Sequence, residues 1–254
     1  MKLLFLGDSN DAADDANGKI RHKRLAELLT AGIGQPVDVI HRAIWSNQRM
    51  PAFVERLISE TTPDIVFFQA HEYATAYPST PVRLRRFGPV GRWAANRTLL
   101  FADNRTLAHN RLVRGLRAFF HATIGGEPHV PLEEGIAAYV DAIRIAARQE
   151  NTLVVVSGPK AQTPSGATAR QRRAADATRG ILNTALREAC DTLHVPYVNF
   201  DTPVYRLPDH RFHMPKSKFG GDGTHFIAEA AKHSAGLHAD DILAAYRDHA
   251  AAQR

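Results

Sequence analysis

Two stretches, Ile65-Val66-Phe67-Phe68-Gln69 and Leu153-Val154-Val155-Val156, are almost unbroken runs of β-branched and aromatic residues. A strand with one wet face alternates apolar and polar side chains, whereas a strand covered on both faces does not need to. The two runs therefore predict inner strands of a parallel sheet sandwiched between helices. Three weaker runs, Lys2 to Leu6, Pro36 to Ile40 and Val195 to Phe200, complete a set of five. Between them the apolar residues recur at helical spacing: Ile20, Leu25, Leu28 and Leu29; then Phe53, Val54, Leu57 and Ile58. Later helices are marked by Leu132, Ile136, Tyr139, Val140 and Ile143, and by an inner face of Ile181, Leu182, Ala185, Leu186 and Ala189. An alanine-rich helix ends the chain. Five strands alternating with helices predict an α/β fold built on a doubly wound parallel sheet, and local pattern leaves the strand order open.

The alternation breaks once, after the third strand. From about 78 to 125 the chain reads as a mostly helical, arginine-rich insertion, and the positive excess of 32 Lys+Arg over 26 Asp+Glu sits largely between Val82 and Arg117. Trp93, Leu99, Leu100, Phe101, Leu107, Leu112, Leu116, Phe119 and Phe120 supply apolar surface for a packed helical hairpin with its arginines facing outward. The functional alternative is a basic lid over an anionic substrate. No Pro/Gly/Ser linker divides the chain, so residues 1–254 are expected to form a single domain that includes this insertion. No apolar run approaches the roughly 20 residues of a membrane span. Leu3 to Leu6 is too short for a secretory signal, so a cytoplasmic location is expected. Cys190, the one cysteine, excludes an internal disulfide framework, and its amphipathic helical setting predicts a buried thiol. His210 and His213 lack a third ligand, so no metal is expected. No phosphate-binding loop or dinucleotide fingerprint is present, so no cofactor is expected either. Nor does any nucleic-acid-binding module accompany the charge.

Chemistry concentrates at the two ends of the chain. Gly7-Asp8-Ser9 follows the first strand at once, which puts a serine at a carboxyl strand end, where α/β sheets form ligand crevices. Gly220-Gly221-Asp222-Gly223-Thr224-His225 is a glycine-rich turn just ahead of the last helix. An aspartate three residues before a histidine can accept its Nδ1–H and leave Nε2 to take a proton from a hydroxyl. In combination the two blocks resemble the SGNH (GDSL-like) hydrolase family. The resemblance implies a three-layer flavodoxin-like sheet and an acyl-ester hydrolase. Ser9 would be its nucleophile, His225 its general base and then acid, and Asp222 the residue orienting His225.

Two middle blocks of that family supply its oxyanion hole, and here both differ. The best match to the second block, His41-Arg42-Ala43-Ile44-Trp45-Ser46-Asn47, has Ser46 where the family has a glycine with a donating backbone N–H. The third block, Gly-x-Asn in the family, reads Gln69-Ala70-His71-Glu72-Tyr73. Counting from Pro63-Asp64, Tyr73 takes the asparagine position, and a two-residue shift gives it to His71. Losing one such donor costs about 3–4 kcal/mol of transition-state stabilisation. The alternatives are a binding protein with impaired chemistry and an acyltransferase using the same serine. The expected partner is a small-molecule, carbohydrate or lipid ester, anionic if the arginine-rich segment serves as the lid.

Overall fold

The structure, a computed structural model, describes residues 1–7, 16–76, 79–103, 119, 123–159, 169–198 and 228–252. They divide into two compact units, Met1–Glu72 with Leu132–Arg254, and Tyr73–Pro131.

The larger unit is a five-stranded parallel sheet. Its strands are β1 (Lys2–Gly7), β2 (Asp38–Ala43), β3 (Ile65–Gln69), β4 (Leu153–Ser157) and β5 (Tyr197–Val198), in the spatial order β2-β1-β3-β4-β5. This is the flavodoxin-like order of a doubly wound sheet. The helices of this unit are α1 (Ala16–Ile33), α2 (Met50–Thr61), α6 (Leu132–Ala147), α7 (Ala169–Leu193) and α8 (Ala228–Ala252), and α3 to α5 belong to the smaller unit.

Side-chain alternation along the strands sorts the core into two layers. Leu4, Leu6, Val66, Phe68, Val154 and Val156 pack with Val54 and Leu57 of α2, Tyr139 and Ile143 of α6, and Leu182 and Leu186 of α7. Leu3, Phe5, Ile65, Phe67 and Val155 face the other way, against Leu25 and Leu29 of α1 and Ala239 and Ile242 of α8. Every residue of β3 and β4 is buried, as unbroken apolar runs require.

Two sequence expectations shift. β2 begins and ends later than the Pro36–Ile40 run, because it pairs with β1 from Asp38 opposite Lys2 to Ala43 opposite Gly7. It is an edge strand, so Asp38 and Arg42 can sit exposed in it. On α7 the inner stripe is Ala175, Arg179, Leu182, Leu186 and Cys190, while Ile181 is 54% exposed. Leu182 and Leu186 face inward as expected, and the stripe continues through Arg179 and Cys190 instead of Ile181 and Ala189, which carries an arginine into the core.

Cys190 is buried, as its setting predicts. Burial, reinforced by the Asp191 carboxylate, pushes its thiol from 9.0 up to about 12. The unfolded chain loses that proton near pH 9 and the folded chain keeps it, so this contribution to stability is full below pH 9 and declines as the pH rises toward 12. At pH 8 the thiolate is on the order of one part in ten thousand. Ellman's reagent is therefore expected to leave the native protein unlabelled over a time that fully labels the unfolded chain. Comparable native labelling would show that the inner face of α7 opens readily.

In the smaller unit, α3 (Tyr73–Ala76), α4 (Thr80–Leu84), a 3₁₀ turn (Arg85–Phe87) and α5 (Gly88–Asp103) follow one another. Backbone bonds from Val130 N–H to Ala74 O (3.0 Å) and from Ser79 N–H to Glu127 O (2.7 Å) hold its incoming and outgoing chain side by side. Arg86 and Arg83 reach Glu127 at 2.6 and 3.7 Å. Burial, and then the charge of Arg85, hold His129 below the usual imidazole range. Among the described residues, no helix is long and apolar enough to cross a membrane.

Candidate active site at the strand ends

The connections leaving β1 and β3 diverge to opposite faces of the sheet, β1 into α1 and β3 toward α6. In sheets of this order a crevice opens between the carboxyl ends of those two strands. A chain of hydrogen bonds joins the strand ends there. Ile44 N–H donates to Gly7 O (2.9 Å), which extends the ladder past the end of β2. His71 Nε2 lies 3.0 Å from Ile44 O. A carbonyl only accepts, so Nε2 carries the proton. His71 N–H in turn donates to Tyr139 Oη (3.1 Å), and the two rings meet edge to face at 6.2 Å. The ends of β1, β2 and β3 are thereby tied to one another and to α6.

Beside this chain the backbone turns sharply. Asn47 N–H donates to Trp45 O (2.8 Å), closing a three-residue turn centred on Ser46. The described non-glycine residues with positive φ are Thr62 and His194, so Ser46 holds this turn at negative φ and glycine is not required there. Ser46 is fully buried, and its Oγ has no hydrogen-bond partner among the described residues.

Across β3 and β4, Gln69 Nε2 donates to Gly158 O (3.0 Å) and Ala70 O (3.2 Å). Gln69 Oε1 and the Oγ of its register partner Ser157 are buried without partners among the described residues. Just beyond β3, Glu72 Oε1 lies 3.8 Å from Arg179 Nη1, with side-chain exposures of 4% and 6%. Arg179 Nη2 donates to Asp176 Oδ1 at 2.6 Å.

The opposite face carries a second buried polar cluster. The Arg21 guanidinium sits 4.7 Å above the ring of Phe5, and His22, His41 and His238 pack their rings around the same side chain at 5.5–5.9 Å. The aromatic face compensates part of the cost of burying a cation. No group of three or more His, Cys, Asp or Glu side chains among the described residues converges as a metal site.

His22 and His238 both reach Phe5. Further along, Gly32 of α1 abuts α8 so closely that a Cβ there would lie 2.5 Å from Leu243 Cδ1. The helices thus run side by side in the same direction. α1 returns along the sheet from the carboxyl end of β1, so the N-terminal ends of both helices point toward the carboxyl edge of the sheet.

No family model and no curated protein matches the chain. Solved structures do. A carbohydrate acetylesterase from Sinorhizobium meliloti superposes with a TM-score of 0.53 at 13% identity, over 96% of this chain and 98% of that one. TesA superposes with a TM-score of 0.51 at 15% identity, over 96% and 99%. The fold is that of the SGNH hydrolases. A gut microbial diltiazem-metabolizing enzyme gives a TM-score of 0.54 at 12% identity over 94% of this chain, which spans about half of that protein (46%).

In this SGNH fold the sequence-derived residues fall into two groups. Ser9, Asp222 and His225 lie outside the described residues, as do His210 and His213, and so does the side chain of Tyr73. Ser46 and His71 are both in place at the strand ends, joined through Ile44. Sequence reasoning missed Glu72, Arg179, Arg21 and His238. Arg179 had a visible signal, a charge in register with Leu182, Leu186 and Cys190 on one helix face, whereas nothing local marks its partner Glu72.

Proposed function

We propose that the protein is a serine ester hydrolase acting on small carboxylic esters. In this reading Ser9 Oγ attacks the acyl carbon while His225 Nε2 takes its proton, and Asp222 orients the imidazole through Nδ1–H. Collapse of the tetrahedral intermediate breaks the carbon–oxygen bond to the alcohol, which leaves with the proton from His225. Water then enters by the reverse sequence and releases the acid.

The observation that carries the reading is that β1 ends, and the neighbouring helices α1 and α8 point their N-terminal ends, at one edge of the sheet. Ser9 is two residues past Gly7, a tether of at most about 7 Å, and His225 is three residues ahead of Ala228, a tether of about 10 Å. Both tethers are anchored at one edge of one sheet, and the crevice between β1 and β3 opens at that edge. The Ser46 turn supports an oxyanion role for its backbone N–H. That donor survives the exchange of glycine for serine, and no described residue accepts from it. His71 already gives its Nε2–H to Ile44, so its part is to hold the β2 and β3 connections together. Of the two sequence-derived alternatives for the third-block donor, Tyr73 is then the one to test, by exchange for phenylalanine.

A fluorophosphonate probe tests the whole reading. Stoichiometric labelling of the peptide that contains Ser9 is the expected result. An unlabelled protein that also hydrolyses no p-nitrophenyl ester or acetylated sugar overturns it, and would favour a binding protein on the same fold.

A further inference from the structure

Residues 73–131 hold nine arginines, no lysine and two carboxylates, Asp103 and Glu127, for a formal charge of +7. The chain as a whole carries +6, so the remaining residues, with 23 Lys+Arg and 24 Asp+Glu, carry −1. The entire positive balance of the protein resides in its smaller unit.

The first helical turns of α5 are packed inside out. Gly91 and Ala95 face inward, and a Cβ on Gly91 would run into the carbonyl oxygen of Leu84. That close approach fixes which side is covered. The opposite side holds Val90 (77% exposed) and Trp93 (64%), with Phe87 (62%) in the turn just before. Arg97 stacks its guanidinium 5.8 Å from the centre of the Trp93 ring. Positions 90, 93 and 97 recur at three and four residues, so they share one helix face. Glu127 engages Arg83 and Arg86. Arg85, Arg92 and Arg97 are exposed and make no ion pair among the described residues. The sequence pattern predicts Trp93 inside a helical hairpin, and the structure turns it out.

An apolar ridge of Phe, Val and Trp with a fringe of arginines is costly to leave in water and has the composition of a membrane-interface surface. It projects from the convex side of a helix, a shape that can enter a deformable layer of headgroups. A folded acidic protein would have to offer a matching groove. We propose that α5 and the turn before it dock the protein on an anionic lipid bilayer. Phe87, Val90 and Trp93 enter the interface, and Arg85, Arg92 and Arg97 meet lipid phosphates. This inference does not depend on the hydrolase reading.

Co-sedimentation of the full chain with phosphatidylcholine vesicles, with and without phosphatidylglycerol, tests it. Binding is expected on the anionic vesicles only, weakening as salt rises. At about fivefold per cation near the surface, exchanging Arg85, Arg92 and Arg97 for glutamine should weaken binding roughly a hundredfold. In a Trp45→Phe protein the remaining Trp93 emission should shift to the blue when anionic vesicles are added. Trp93→Ser with Phe87→Ser should lower vesicle binding and leave binding to soluble heparin unchanged. Equal binding to neutral and anionic vesicles overturns the proposal, as does an unshifted Trp93 emission. Vesicle binding untouched by the serine exchanges does so too, since it would reveal a general polyanion surface. The wild-type lipid and salt arms decide even if a variant fails to fold.

Discussion

A Ser9→Ala protein is expected to hydrolyse p-nitrophenyl acetate on the order of 10⁵- to 10⁶-fold more slowly than the parent, with its fold and melting temperature intact. Without the hydroxyl no acyl-enzyme forms, and what remains is the oxyanion site acting on a direct attack by water. The size of the loss separates a nucleophile from a residue that shapes a pocket, whose removal would act mainly on KM. Neighbouring variants sharpen the test. Ser46→Ala keeps the backbone N–H assigned to the oxyanion, so its rate should stay within about tenfold of the parent. Tyr73→Phe removes a hydroxyl donor, and if that hydroxyl serves the oxyanion it should cost about 10²–10³ in kcat. Parent-rate hydrolysis by the Ser9→Ala protein would end the proposed mechanism. A loss seen only in KM would move Ser9 from chemistry to binding.

What the sequence made legible follows from where each signal is stored. Ile65–Gln69 and Leu153–Val156 announce inner strands because burial on both faces is written into consecutive residues. Pro36–Ile40 misplaces β2 because the strand's extent comes from pairing, Asp38 to Ala43 against Lys2 to Gly7, and an edge strand tolerates His41 and Arg42. On α7, apolar periodicity places Leu182 and Leu186 inside but leaves open which neighbours flank them. The choice of Cys190 over Ala189 for the inside is made by the sheet and α6. Trp93 shows the same limit from the other side, since hydrophobicity alone sends it inward. At the candidate site, sequence position led to Ser46 and His71. That Ser46 keeps negative φ, and that the His71 proton is given to Ile44, are properties of three strand ends brought together. No window along the chain contains them.

Glu72→Ala is expected to destabilise the protein by about 3 kcal/mol, because it takes one carboxylate from the surroundings of a guanidinium that stays buried. For a chain of this size that is a fall in melting temperature of roughly ten degrees. Asp176 remains 2.6 Å from Arg179, but its side chain is 55% exposed, so it offsets only part of the loss. A converse experiment identifies the cause. Replacing both partners with apolar residues of similar length, Glu72→Leu with Arg179→Met, removes the buried charges together and should recover most of the stability lost in the single variant. A single variant that melts within a degree of the parent would show that the pair is solvated in practice. A double variant worse than the single one would show that Glu72 and Arg179 act independently. The pair also bears on chemistry through the chain. Glu72 directly follows His71, so anchoring Glu72 to α7 also fixes the connection whose imidazole holds Ile44. If that anchoring sets the oxyanion geometry, the double variant recovers its melting temperature but not its kcat, a split that packing alone does not produce.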